Sequence, residues 1–554
     1  MMVYTLPLFV LLFSFLVSEH FPPWTAYHTE VPAFASVVLA LVLCWRAASR
    51  RVPLASVALP IGLLVLSVLL QLALGQLSYV GDAWVVVAYL LAFLAAAWWG
   101  QQWAEKIRPQ QLVFGIAVFL LLAGMLVEFQ MLAQWLQVEA RFGGWVIDKP
   151  PHGRPYGNLG QPNQAATLLV MASVALILLQ ELGKVRRRVA WPALLFLAWG
   201  IVLTQSRTAL LSSFLLSLGL LATAPAHWSR AKASIVIWMA GIMVGTGLLQ
   251  IMPWGDTSAT ATSLTSVGLR PLMWRQLLAA LTESPWVGWG WLQIASAQQA
   301  GALLVPGVEQ TNYAHNAILD LLLVVGIPAG GAFLLWLLLT CWRYALRILA
   351  HEGALSLAYV LVPFLVHSML EFPHAYAYYL VLVGVILGAM EQWTRVPSGR
   401  RIVMPRVVLG VLAVSLTVLY LSLAMDYAGV EEDFRVNRFE NRRLGSTPVD
   451  YRPPKARLLT QYGELLAAMR LRAVPDMQPE DLALLQRVSQ RFSWAPLYFR
   501  TALALGLNGQ AELAQAQLNK IKAMYTAEIY DDARDNWLRM QREQYPQLAR
   551  IALP

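Results

Sequence analysis

About thirteen long apolar runs divide this chain of 554 residues, and they leave it few folds to choose from. The hydrocarbon core of a bilayer holds no water. A segment that crosses it must satisfy its own backbone polar groups, which restricts spanning structures to helices and closed barrels. Runs of roughly 18 or more apolar residues read as helices, because barrel strands are shorter and alternate in polarity. The runs lie near 3–18, 31–45, 53–74, 83–99, 111–130, 164–181, 189–205, 208–224, 233–252, 316–341, 354–371, 376–392 and 404–424. The break between 189–205 and 208–224 is the shortest. Composition agrees: 58% of residues are apolar and 13% charged, whereas soluble domains carry about a quarter charged residues. The expected fold class is all-α, a polytopic membrane protein with about 13 spans and a helical C-terminal domain. The first run resembles a signal peptide but lacks a basic start and a clear small-residue cleavage site, so it reads as a retained span.

Lysine and arginine in short loops orient such a chain. With the N-terminus in the cytoplasm, the inside loops hold Arg46, Arg50 and Arg51, then Lys106 and Arg108, then Lys184, Arg186, Arg187 and Arg188. Further along they hold Arg230 and Lys232, Arg343 and Arg347, and Arg395, Arg400, Arg401 and Arg406. The outside loops 19–30, 75–82 and 372–375 hold no lysine or arginine. The other outside segments hold Arg141, Lys149, Arg154, Arg207, Arg270 and Arg275. The net charge of +10 is thereby explained as membrane anchoring, and no nucleic-acid partner is needed. The C-terminal domain is expected on the outside, which is the periplasmic side if the membrane is a bacterial inner membrane.

Three outside pieces are long enough to build a site: 131–163, 253–315, and the tail from 425. A membrane domain over 1–424 and a helical domain over 425–554 are expected. In the tail, Ala495–Tyr525 reads as two amphipathic helices around Gly506–Gly509, like one tetratricopeptide unit. Both cysteines, Cys44 and Cys341, fall at expected cytoplasmic helix ends, so no exported disulfide framework exists. Walker loops, dinucleotide fingerprints after a strand, and Cys–His zinc spacings are absent, and no outside loop carries a paired-carboxylate metal motif.

Asn312-Tyr313-Ala314-His315-Asn316 stands where a polar loop meets an apolar run. Alone, His315 would read as a helix anchor. Its company points to chemistry on a lipid-borne anion. Arg207, between two apolar runs, is in a costly place and suggests an anionic partner. Arg270, with Arg275 close behind, opens an amphipathic stretch suited to the membrane surface, and a guanidinium grips phosphate through two nitrogens. Gln161 and Asn163 open a span, and their amides suit sugar hydroxyls or a peptide, although capping by Asn163 would explain the pattern equally. Glu371, at a span end, suggests pairing with an arginine. His367, one turn earlier, reads as structural.

These segments together resemble the O-antigen ligase/polymerase superfamily. The carriers are Thr204-Gln205-Ser206-Arg207, Arg270 to Trp274 followed by Ser284-Pro285-Trp286-Val287-Gly288-Trp289-Gly290, and Tyr313 to Asp320 before Val325-Gly326-Ile327-Pro328. Gly157 to Asn163 and Leu370 to Tyr379 look like the branch of bacterial O-linked oligosaccharyltransferases of the PglL type. The resemblance implies transfer of a preassembled oligosaccharide from undecaprenyl pyrophosphate to Ser/Thr hydroxyls of periplasmic, pilin-like proteins. It implies a cofactor-free, metal-independent and inverting reaction. His315 would be the base, Arg207, Arg270 and Arg275 would bind pyrophosphate, and Gln161, Asn163, Asn312, Tyr313, Glu371 and Tyr376 would contact donor or acceptor. Transfer to lipid A core and polymerisation of glycan repeats share the same chemistry. A lipid-linked glycan transporter would also place arginines in spans, yet the sequence lacks the internal repeat expected of one. The metal-dependent asparagine oligosaccharyltransferases use a Trp-Trp-Asp motif, where this chain has Trp98-Trp99-Gly100 within a span.

Overall fold

A computed structural model describes residues 2–150, 153–251, 268–307, 310–395 and 403–554. Parts of the expected loop 253–315, and Arg400 and Arg401, lie outside the described residues. The helices are α1 (Met2–Leu12), α2 (Tyr27–Ala47), α3 (Ala58–Ala73), α4 (Val80–Lys106), α5 (Pro109–Trp135), α6 (Pro162–Glu181) and α7 (Arg187–Thr204). They continue as α8 (Arg207–Thr223), α9 (Ser229–Ile251), α10 (Arg270–Glu283), α11 (Ile294–Leu304), α12 (Ala317–Ala350), α13 (Glu352–Ser368) and α14 (Ala377–Thr394). The last six are α15 (Arg406–Asn441), α16 (Thr460–Arg470), α17 (Pro479–Arg491), α18 (Ala495–Leu507), α19 (Ala511–Met524) and α20 (Ala527–Glu543). Among the described residues the only strands are β1 (Arg51–Pro53) and β2 (Val403–Pro405), an antiparallel pair in which Val52 faces Met404.

Nine of these helices are long and apolar enough to cross a membrane, and four shorter apolar helices stand at the other expected positions. The chain is an all-α polytopic membrane protein. The short break between the seventh and eighth runs is real. Gln205 ends α7 in the left-handed region at φ 50°, and the side chain of Ser206 caps α8 by accepting from Ala209 N at 3.2 Å.

The chain forms two compact units. The first comprises Met1–Ile61, Tyr89–Ser266 and Leu337–Val418. Its centre is α6, buried without interruption from Asn163 to Gln180, as befits a helix apolar on all faces. Helices α5, α7, α8, α9 and α13 pack around it. Helices α4 and α14 approach through glycine: a Cβ at Gly100 or Gly388 would overlap the carbonyl of Val385 or Ala97. Small residues allow such close backbone contact where lipid supplies no hydrophobic drive for association.

The second unit comprises Gly62–Ala88, Val267–Trp336 and Leu419–Pro554. Here α10 packs on α11, and α11 packs on α17 and α19. The tail forms one core around Leu465, Leu485, Val488, Tyr498, Leu505, Leu518, Ile521 and Trp537. The expected pair around Gly506–Gly509 is present as α18 and α19, with Gly509 at φ 77° in the turn. A further packed pair, α16 and α17, precedes it; its helices are too short for sequence self-similarity to reveal.

Candidate active site

His315 occupies the left-handed region at φ 52° in the second unit. Non-glycine residues rarely stay there unless their surroundings hold them, and such strain gathers at functional sites. The preceding residue, Ala314, is held at both its N–H and its carbonyl. Asp320 Oδ1 accepts from Ala314 N at 2.6 Å, and Trp274 Nε1 donates to Ala314 O at 2.7 Å. Asn316 caps α12: its Oδ1 accepts from Ile318 N at 3.1 Å and Leu319 N at 3.0 Å. Asn316 and Asp320 thus both hold the start of the helix. Upstream, Gln298 Oε1 accepts from Thr311 N at 2.7 Å, and Thr311 Oγ1 donates to Tyr313 O at 2.6 Å. Asn312 is exposed, and Tyr313 and His315 are half-buried.

Trp274 belongs to α10, whose first residue is Arg270. The inward face of α10 is Met273, Gln276, Leu277, Ala280 and Leu281, while Leu269, Arg275 and Leu278 are exposed. An apolar face outward and a packed face inward suit a helix at a membrane surface.

Two quoted motifs meet through backbone. Helix α12 breaks at Gly326, at φ 81° and ψ 167°. The carbonyls of Leu323 and Val324 then accept from Trp289 N at 2.6 Å and Gly290 N at 3.1 Å, and Ile327 N donates to Pro285 O at 2.7 Å. Val-Gly-Ile-Pro thus opens α12 to receive Ser-Pro-Trp-Val-Gly-Trp-Gly. Gln71 secures the junction by donating to Val324 O at 2.9 Å and accepting from Trp291 N at 3.2 Å.

In the first unit, Gly157 to Gly160 lies on α5. Gln134 Oε1 accepts from Tyr156 N at 2.9 Å and Gly157 N at 2.8 Å, and Gln130 Oε1 accepts from Asn158 N at 3.0 Å. Asn158, fully buried, donates to Leu16 O and Trp145 O. This shelf sets the entry to α6. Capping there is done by Gln161, whose Oε1 accepts from Gln164 N at 2.8 Å. The capping role weighed for Asn163 is therefore corrected. Proline at the first helical position moves the cap to Gln161 and turns Asn163 toward Glu371, with Nδ2 to Oε1 at 3.0 Å. Tyr378 donates to Gln164 Oε1, and Glu30 Oε2 accepts from Ala377 N at 2.6 Å. Tyr376 lies in this group. Its ring stacks on Phe372 and packs against Tyr378. His367, 1% exposed, bonds Thr167 at 2.8 Å and is structural.

Arg207 is exposed and is the first residue of α8. Arg154 braces the turn before it, with Nη1 donating to Thr204 O at 3.2 Å and to Gln205 O at 3.4 Å. A small cavity lined by Gln205, Ser206, Thr246 and Gln250 adjoins that turn. Arg207 and Arg270 share an unusual feature: each sits at the positive end of a helix. A cation there is disfavoured by about 0.3–1 kcal/mol, and a bound anion would reverse the sign.

The sequence showed Arg154 only as a loop charge, Glu30 only as an acid in the first outside loop, and Asp320 only as part of a motif. A signal existed for Asp320, an acid inside the first turns of an apolar run. For the others the partner is far away in sequence, and no local signal exists. Among the described residues, no group of three or more His, Cys, Asp or Glu could hold a metal ion.

Residues 155–179 match the protein glycosylation ligase family, 192–334 the O-antigen ligase family, and 355–539 the C-terminal region of virulence factor membrane-bound polymerases. A general O-oligosaccharyltransferase of Acinetobacter baylyi is 26% identical over 531 residues, covering 92% of this chain and 90% of that protein. A ComP-specific O-oligosaccharyltransferase of the same organism is 27% identical over 328 residues, 58% of this chain and 59% of that protein. The chain is a membrane glycosyltransferase that transfers glycan onto protein. The homologues and the matched regions together support a PglL-type O-oligosaccharyltransferase.

Proposed function

We propose that the chain transfers a preassembled oligosaccharide from undecaprenyl pyrophosphate to serine or threonine hydroxyls of periplasmic, pilin-like proteins. It does so from an inner membrane, with the N-terminus cytoplasmic and the loop of His315 and the tail periplasmic. The observation that carries this reading is the strained, doubly braced position of His315 on the unit that also bears Arg270. Imidazole is the side chain that takes and gives protons near neutral pH. His315 accepts the hydroxyl proton as oxygen attacks the anomeric carbon opposite the leaving group, which gives inversion. The C–O bond to the carrier breaks, and the pyrophosphate keeps that electron pair. Arg207, Arg270 and Arg275 stabilise the departing charge, helped by the helix N-termini on which the first two sit. No metal enters this account. Gln161, Asn163, Glu371 and Tyr376 offer amide, carboxylate and phenol groups suited to sugar hydroxyls or acceptor backbone, as do Asn312 and Tyr313.

The test is transfer in reconstituted membranes from a polyprenyl-pyrophosphate glycan to a Ser/Thr-rich pilin-like protein, with EDTA present. General-base loss costs about a hundred- to ten-thousand-fold, so His315→Ala should leave almost no product. A mass shift on the protein that survives EDTA and vanishes in the variant is expected. Retention of more than roughly a tenth of the rate in His315→Ala refutes the base role. Glycan arriving on lipid A core, or lengthening on its carrier, moves the protein to ligase or polymerase chemistry.

A further inference from the structure

The tail helices of the second unit are joined to its membrane-entering parts by a buried ion pair. Asp82, in the first turn of α4, has a fully buried side chain and receives Nε of Arg491 at 2.7 Å and Nη2 at 3.0 Å. Arg491 ends α17, and its side chain is 14% exposed. Burial alone would lower this guanidinium; the Asp82 carboxylate more than reverses that, and Tyr462 and Tyr313 add to the effect. The neighbouring carbonyl of Gln490 accepts from Ser296 at 3.0 Å and from Gln299 at 2.6 Å, and Gln299 also reaches Ser493 Oγ at 2.7 Å. The C-terminal end of α17 therefore meets α4 and α11 at one place.

From α11 the connection runs on to His315. Gln298 holds Thr311 N, and Thr311 holds the Tyr313 carbonyl two residues before the histidine. A second strand of it is Gly307 N donating to Ala523 O, at the end of α19, at 2.7 Å. A joint that served stability alone would be better made from apolar side chains, because desolvation offsets much of the attraction in a buried ion pair. What a forked, two-bond pair adds is a set distance and angle.

We propose that Asp82 and Arg491 form a positioning joint through which the C-terminal helices hold the loop of His315 in its left-handed form. The proposal rests on the reading of His315 as the base. Asp82 and Arg491 are positioning residues and act through α11, Thr311 and Tyr313.

The test uses the full chain in reconstituted membranes and reads two things: amide exchange over 311–316 and the kinetics of transfer. Three variants are compared: Arg491→Lys, Asp82→Asn, and the apolar double Asp82→Leu/Arg491→Met. In Arg491→Lys and Asp82→Asn the loop amides should exchange at least about tenfold faster. Their kcat should fall by a similar factor, while KM for the lipid-linked donor stays within about twofold. The apolar double variant should melt no lower than the wild type yet keep the low kcat. Unchanged exchange over 311–316 in all three variants overturns the proposal. So does wild-type transfer by the apolar double, which would make the pair a structural filler. Faster exchange with undiminished transfer in both single variants, the apolar double remaining slow, keeps the joint and refutes His315 as the base. Unchanged exchange with an inactive His315→Ala refutes the joint and leaves the base standing.

Discussion

Gly326→Ala tests how far the shape of the site depends on the break in α12. The backbone at Gly326 lies at φ 81° and ψ 167°, a region nearly reserved for glycine. A residue with a Cβ held there costs about 1–3 kcal/mol. The added Cβ would stand 2.5 Å from the Trp286 carbonyl oxygen, which is backbone and cannot swing aside. Relief requires Pro285 to Gly290 to move off α12, and that breaks the Trp289–Leu323 and Ile327–Pro285 hydrogen bonds. At about 0.5–1.5 kcal/mol each, their loss brings the total to about 2–6 kcal/mol. The control is Gly331→Ala in the same helix, where a Cβ meets nothing within 4 Å. It should gain up to about 1 kcal/mol from helix propensity. Both variants are unfolded by denaturant titration in detergent and assayed for transfer in liposomes. Because α12 opens directly after His315, transfer by Gly326→Ala should fall at least about tenfold. If the two variants unfold at the same denaturant concentration and transfer equally well, the break is not what shapes the site.

Arg207→Lys keeps the charge and loses the planar fork, so transfer should fall about tenfold or more; full activity would leave Arg207 only a field role, or none. Arg154→Gln removes the donor bracing Thr204 and Gln205, and about 1–2 kcal/mol of local stability with it. Its signature should be a raised KM for the lipid-linked donor, and a KM equal to wild type would detach that turn from donor binding. Tyr376→Phe removes the phenol hydroxyl and should lower transfer about tenfold; a wild-type rate would detach that hydroxyl from donor or acceptor binding.

Charge placement separates what packing needs from what chemistry needs. Asn158 and Gln134 are polar, deeply buried and occupied with holding loops, and buried His367 bonds Thr167 from one helix to another. His315, Arg207 and Arg270 occupy positions that cost stability: a left-handed backbone in one case and the positive ends of helices in the other two. Helix capping would have used Asn316 and Ser206 whether or not those three residues were present.

The sequence by itself determined the spans. Every residue of a run contributes to its hydropathy, and a helix closes its hydrogen bonds within a few residues, so the signal is local and additive. Even the doubtful break before Arg207 was legible, because the chain there has to leave one helix and cap the next within two residues. The motifs around His315, Arg270 and Gln161 were legible as patterns. Only the tertiary structure decided what each residue in them does. Asn163 meets Glu371 across 208 positions, and Asp82 meets Arg491 across 409. A span that is apolar on every face carries no periodicity to say which neighbour it faces, and in lipid the hydrophobic effect does not choose one. That choice comes from close glycine contacts such as Gly100 with Val385, and from polar pairs such as Asp82 with Arg491, whose partners are chosen by geometry alone.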